Sequence, residues 1–133
     1  MKAELIRVCD LEPADGAWIA AHLCRSGSEM QTEFYERLKE TPVVVFSNEV
    51  PIAWVATHEW RELQTLEAFT HPDWRRRGLA RAGALMLAAV SYLDRRGPVA
   101  VFSPACVPLT RSLGFPETLL YQRTGSEWRI SRG

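Results

Sequence analysis

The chain has 133 residues, 47% of them hydrophobic, with 16 basic side chains against 16 acidic ones. That length and apolar share suit a single domain, residues 1–133, with a real core, and zero net charge argues against a nucleic-acid partner. No run reaches the roughly 18 to 20 apolar residues of a membrane span, and Met1-Lys2-Ala3-Glu4 opens no signal-peptide core, so a cytoplasmic protein with no membrane partner is expected. Cys9, Cys24 and Cys106 are widely spaced and lack the paired spacing of a zinc site; they read as reduced, mostly buried thiols, with no metal.

Ala3 to Cys9 alternates and predicts a first strand. Glu12-Pro13-Ala14-Asp15 then reads as a helix start, with proline near the first helical position and acids where the dipole favours them. Trp18, Ile19, His22 and Leu23 follow at helical spacing, and His22 on that apolar face reads as a structural histidine rather than a catalytic one. Arg25-Ser26-Gly27 ends this helix. Ser28-Glu29-Met30-Gln31 resembles a capping box opening a second, whose buried stripe is Met30, Phe34 and Leu38.

Pro42 to Phe46 and Val50 to Thr57 predict a hairpin turning at Ser47-Asn48-Glu49, and Leu63 to Thr70 a third, antiparallel strand. The period then changes. Ala82, Leu85, Met86, Ala89, Val90 and Leu93 mark one face of a helix from Arg81 to Arg96, stopped by Gly97-Pro98. Val99 to Phe102 is a wholly apolar strand which, after a crossover helix, should run parallel to the strand before it. Pro104 to Leu113 predicts a short helix capped by Gly114, and Glu117 to Arg123 with Glu127 to Ile130 a closing hairpin through Thr124-Gly125-Ser126. Trp18, Phe34, Tyr35, Trp54 and Trp60 read as core ahead of an acceptor pocket.

The chemistry concentrates in His71-Pro72-Asp73-Trp74-Arg75-Arg76-Arg77-Gly78-Leu79-Ala80, between a strand and a helix. A helix N-terminus offers unpaired N–H groups and the positive end of the dipole, so phosphate is its natural guest. Gly78 permits close approach, and the three arginines either add charge beside those amides or begin a solvated helix. The loop lacks the lysine-bearing pattern of nucleoside triphosphatases and the double glycine of dinucleotide folds.

Arg75-x-x-Gly78-x-Ala80 after a strand resembles the acetyl-CoA pyrophosphate signature of the Gcn5-related N-acetyltransferases (GNAT), and Leu109-Thr110-Arg111-Ser112-Leu113-Gly114-Phe115 is similar to that family's late helix ending in Leu-Gly-Phe. The resemblance covers roughly Gln64 to Arg123. It implies an α/β fold: a mixed, mostly antiparallel sheet of six or seven strands, flanked by about four helices, with a V-shaped split between two central parallel strands. It also implies transfer of an acetyl group from acetyl-CoA, as cosubstrate, to a primary amine of a small molecule or peptide by direct attack. Carried over by position, the pantetheine arm would lie along Ala68, Phe69 and Thr70, and the pyrophosphate on the amides and side chains of Arg75, Arg76, Arg77, Gly78, Leu79 and Ala80. The paired helices between the first two strands would wall the acceptor site.

Acetyl transfer needs an uncharged amine, a polarised thioester carbonyl and a proton for the departing thiolate. An amide near Phe69 or Thr70 serves the second need. For the first, Glu67 is the carboxylate on the central strand, although alternation turns it away from Thr70 unless a bulge shifts the register; His58, Glu59 and Glu62 at neighbouring strand ends are the alternatives. For the third, Thr110 occupies the family's tyrosine position and Ser103 its asparagine position. Thr110 is a far weaker acid than a phenol, and Tyr121 and Tyr35 are other hydroxyls. These departures motivate a rival reading, a GNAT-fold acyl-CoA-binding or regulatory domain with impaired catalysis. A homodimer through an exposed strand edge is compatible with the pattern.

Overall fold

Extended, β-branched runs build the scaffold. The computed structural model describes residues 1–22, 36, 40–125 and 127–133. In chain order its strands are β1 (Lys2–Arg7), β2 (Pro42–Asn48), β3 (Val50–Ala56), β4 (Glu59–Trp60), β5 (Leu63–Thr65), β6 (Glu67–Thr70), β7 (Val99–Val101), β8 (Thr118–Thr124) and β9 (Glu127–Arg132). The helices are α1 (Pro13–Ala21), α2 (Leu79–Ala89) and α3 (Cys106–Ser112). One sheet runs β1-β2-β3-β6 and is wholly antiparallel; the other runs β4-β5-β7-β8-β9, with β5, β7 and β8 parallel. Val43 to Phe46 are all buried because both faces of their sheet are covered. On one face, Trp54, Val45 and Ala56 pack with Ile19 of α1; on the other, Val44, Val55 and Phe46 pack with Ala84 and Leu87 of α2.

The expected run from Leu63 to Thr70 is two strands. Leu66 hands the chain from one sheet to the other: its N–H still bonds Ala100 O of β7 at 3.0 Å, while Glu67 already pairs with Ala56 of β3. Beyond that point β6 follows β3 and β7 follows β8, and the sheet splits. The parallel relation of Val99–Val101 to the preceding strand stands, but it belongs to β5.

Helix α2 departs further from expectation. It stops at Ala89, because Ser91 adopts φ 66° and closes the end: Tyr92 N–H bonds Leu87 O and Ser91 N–H bonds Ala88 O, the glycine-type terminator supplied by a serine. Its buried residues are Gly83, Ala84 and Leu87, while Val90 is 48% exposed, so the inward face is rotated from the expected stripe. Alanine and leucine surround this helix almost evenly, and Gly83 selects the contact. A Cβ there would lie 2.6 Å from Val55 Cγ2, so only glycine allows this approach to the sheet.

Elsewhere the elements agree within a residue or two. The first strand ends at Arg7, and Val8–Asp10 form a single helical turn. Gly114 (φ 83°) caps α3, and Gly125 (φ 62°) turns the last hairpin. Nine strands and three α-helices stand among the described residues, against six or seven strands and about four helices expected. The expected second helix, with Met30, Phe34 and Leu38, and also Cys24 and Tyr35, lie outside the described residues. No helix among the described residues is long and apolar enough to cross a membrane.

Candidate active site

The split leaves one edge of β6 without a strand partner among the described residues. His71 N–H bonds Ile52 O at 2.7 Å, so the alternate residues Glu67, Phe69 and His71 turn their backbone groups toward β3. Ala68 and Thr70 therefore turn theirs toward the split. Of the three residues expected to line a pantetheine arm, Ala68 and Thr70 offer backbone groups, whereas Phe69 offers only its ring. Thr70 O already accepts from Arg75 Nε at 3.0 Å.

At the mouth of the split, His71 to Gly78 wraps into the head of α2. The His71 ring accepts Asp73 N–H, Trp74 N–H bonds His71 O, and Arg75 N–H bonds Pro72 O at 3.4 Å. Arg75 thus has no free amide, contrary to its expected part in the cradle. Arg76 (φ 63°) and Gly78 (φ 74°) both take left-handed backbone, Gly78 as the residue preceding the helix. The first bond back along α2 is Ala82 N–H to Gly78 O at 2.9 Å. The N–H groups of Leu79, Ala80 and Arg81 therefore have no intrahelical acceptor, Gly78 offers no side-chain cap, and the first turn carries no acid. Nothing lies within 4 Å of where a Gly78 Cβ would stand.

Arg75, Arg76 and Arg77 are exposed. Arg75 also lies 5.8 Å over the Phe69 ring and Arg77 4.6 Å over Trp74, so two of the three are pinned across the turn. Open amides, a left-handed glycine and cationic surroundings fit a diphosphate, and the free edge of β6 beside them fits an arm bearing amide groups.

On the face of β6 that α1 covers stand Glu67 and Phe69. The His22 ring stacks on Phe69 with centroids 3.9 Å apart, Trp18 meets Phe69 edge-on at 5.7 Å, and His22 Nδ1 hydrogen-bonds Trp18 O at 2.8 Å. The ring is thus packed and hydrogen-bonded on this face. Glu67 faces away from Ala68 and Thr70, as alternation requires. It is 4% exposed, and neither carboxylate oxygen has a hydrogen-bond partner among the described residues. Burial pushes its carboxyl well above the usual carboxylate range. Glu59 and Glu62 are exposed, at the far end of β5 from the turn, and His58 Nδ1 engages Thr65 Oγ1 at 2.9 Å.

Across the split, the hydroxyls of Ser103 and Thr110 are engaged within the fold. Ser103 Oγ accepts Ala105 N–H at 3.3 Å and its carbonyl accepts Cys106 N–H at 3.0 Å, which starts α3. Thr110 is fully buried, its hydroxyl 2.7 Å from Thr118 Oγ1 and 3.0 Å from Val107 O. Tyr121 is buried in an aromatic cluster with Trp60, Phe102 and Trp128. Trp18, Trp54 and Trp60 all join the core on this face, as expected. Of the thiols expected to be mostly buried, Cys9 is exposed and Cys106 half-buried; burial and the Glu67 charge push the Cys106 thiol up to about 11, with the Ala68 backbone acting in the opposite sense.

Fold and site together define a split α/β sheet with the N-terminus of α2 at its opening. Solved structures with a similar fold include two acetyltransferases. The ribosomal-protein-alanine N-acetyltransferase of Brucella melitensis biovar Abortus 2308 superposes with a TM-score of 0.52 at 15% identity, over 85% of this chain and 88% of that one. A putative GNAT-family acetyltransferase from Bacteroides thetaiotaomicron superposes with a TM-score of 0.50 at 14% identity, over 99% of this chain and 84% of that one. No family model and no curated protein matches the sequence. At such identities the likeness shows the fold, and the fold is that of the Gcn5-related N-acetyltransferases.

Proposed function

We propose that this chain is an acetyl-CoA-dependent N-acetyltransferase acting on a primary amine of a small molecule or peptide by direct attack. The observation that carries the reading is the head of α2, led by left-handed Gly78, opening beside the edge of β6, at Ala68 and Thr70, that no described strand pairs. Backbone amides bonded to charged oxygen are each worth about 1.5 to 3 kcal/mol, so Gly78, Leu79 and Ala80 can hold a diphosphate without a catalytic side chain, with Arg76 adding charge. The N–H of Ala68 or Thr70, aimed into the split, suits a carbonyl on which negative charge develops. When bound, acetyl-CoA supplies the activated acyl group. Glu67, on the opposite face with Phe69, is the carboxylate to which this reading gives the proton of the attacking amine. The free thiols of Cys9 and Cys106 support a cytoplasmic setting.

The test is release of free thiol from acetyl-CoA over a panel of small amines and peptides, beside calorimetric titration with coenzyme A. Thiol release with at least one amine supports the reading. The engaged hydroxyl of Thr110 and the packing of Tyr121 favour a second reading, a domain that binds acyl-CoA and regulates without turnover. Tight binding with no release on any amine would support that reading instead.

A further inference from the structure

A bond of the protein's own stands where the cofactor's arm is expected. Ala68 and Thr70 turn their backbone N–H and C=O groups into the split, where no described strand pairs them. Thr70 O, next to the turn, accepts Arg75 Nε–H at 3.0 Å. We propose that Arg75 selects the acyl donor: in the empty protein it occupies Thr70 O, so a thioester binds well along β6 only when it carries a diphosphate able to draw the guanidinium away. This rests on the acetyl-CoA reading above.

The turn sets up the exchange. Trp74 N–H bonds His71 O at 2.8 Å and Arg75 N–H bonds Pro72 O at 3.4 Å, a single helical turn that folds the chain back so that side chain 75 reaches carbonyl 70. The same guanidinium lies 5.8 Å over the Phe69 ring, which steadies it at the edge of β6. Three residues further on, Gly78 (φ 74°) opens α2, whose first amides have no intrahelical acceptor. Arg75 thus touches the strand expected to hold the arm and belongs to the turn expected to hold the diphosphate.

The two partners of Arg75 differ in strength. Its side chain is exposed, so the bond to Thr70 O is made in competition with water and is given up at small cost. A phosphate oxygen, being charged, is the better acceptor for a guanidinium, which can meet it with two parallel N–H bonds. An amide N–H on the arm has the opposite need, a backbone carbonyl. With a diphosphate at the head of α2, Arg75 trades Thr70 O for phosphate oxygen and leaves that carbonyl to the arm. Without one, Arg75 must lose its acceptor and gain none, so a phosphate-free thioester binds more weakly by that difference. Arm and diphosphate are thereby coupled through one side chain, each favouring the binding of the other.

The experiment titrates the full chain by calorimetry with coenzyme A and with pantetheine, its phosphate-free arm, in wild type, Arg75→Ala and Arg75→Lys. Arg75→Ala should bind pantetheine about three- to tenfold more tightly than wild type does, and coenzyme A about tenfold more weakly. Damage to the fold or simple loss of charge does not move the two ligands in opposite directions. Arg75→Lys, which keeps the charge without the planar fork, should fall between. The second readout is the Arg75 Nε–H signal in nitrogen-15 NMR, assigned by its loss in Arg75→Lys; it should shift on adding inorganic pyrophosphate alone. If pantetheine binds too weakly for calorimetry in every protein, that signal decides. Pantetheine affinity in Arg75→Ala at or below that of wild type, or an Nε–H signal unmoved by pyrophosphate and by coenzyme A, overturns the selection while the acetyl-CoA reading stands. Failure of coenzyme A to bind the wild type overturns both.

Discussion

Gly83→Ala tests how α2, and with it the turn at its head, is held against the sheet. An alanine Cβ there would sit 2.6 Å from Val55 Cγ2, 3.1 Å from Val55 Cβ and 3.2 Å from Phe46 Cε2, against roughly 3.5 to 4.0 Å for an ordinary carbon contact. Val55 is 0% exposed and Phe46 5%, and Val55 is β-branched and short, so neither swings aside cheaply. Overpacking of this kind costs about 1 to 3 kcal/mol, and alanine regains about 1 kcal/mol of helix propensity over glycine. An overlap with an immobile side chain belongs at the upper end of that range, so a net loss of about 1 to 2 kcal/mol is expected. For a domain of this size the melting temperature should fall by about 3 to 8 °C, measured by circular dichroism. Gly97→Ala is the control, since a Cβ there meets only Gln64 Nε2 at 3.9 Å and should leave the melting temperature within about 2 °C. A Gly83→Ala protein that melts at or above wild type would refute the close-approach argument.

Thr110→Val leaves the buried Thr118 hydroxyl without its partner and should cost about 1 to 3 kcal/mol, whereas Thr110→Val with Thr118→Val should recover much of that loss in urea unfolding; thiol release by the double variant should match wild type. Glu67 holds its proton in the folded chain at pH values where the unfolded chain has lost it, so its contribution to stability is full below the unfolded pKa and is lost as pH rises through the raised folded one. Glu67→Gln should accordingly be more stable than wild type at pH 8, with the gap closing toward pH 4, and denaturant midpoints across that range measure it. Arg76 holds φ 63° on an exposed loop, so Arg76→Gly should be as stable as wild type or more stable by up to about 1 kcal/mol in urea unfolding, while its affinity for coenzyme A falls with the lost charge.

Local signals carried most of the elements. Alternation and β-branching marked β2, β3 and β8, and glycines marked the ends of α3 and the last hairpin, because each depends on residues close in sequence. The strand break at Leu66 depends on β3 and β7 competing for the same segment, and nothing within Leu63 to Thr70 shows that competition. Ser91 ended α2 where a glycine was the expected signal, and Leu93, which continues the helical spacing, reaches the core from beyond the stop. Gly83 was invisible as a constraint until Val55 stood opposite it. In the site, Gly78 and the arginines are contiguous, so their junction could be read directly. The engagement of Thr110 by Thr118 and the effect of Glu67 on Cys106 join residues on separate elements, and no pattern along the chain marks either. Alternation alone gives Glu67 its face, whereas its carboxylate oxygens having no hydrogen-bond partner among the described residues is visible only in the fold.

The central claim is that main-chain donors at the head of α2 grip a diphosphate. Calorimetric titration of coenzyme A into wild type, Gly78→Asn and Gly78→Glu tests it most directly. Asparagine tolerates left-handed backbone and nothing crowds position 78, so Gly78→Asn should keep its melting temperature and most of its affinity. Gly78→Glu, which sets a carboxylate against the phosphates, should stay folded and bind at least about 100-fold more weakly, a loss of about 2.7 kcal/mol. Equal affinity in Gly78→Glu and wild type, or no binding by wild type, would contradict the account.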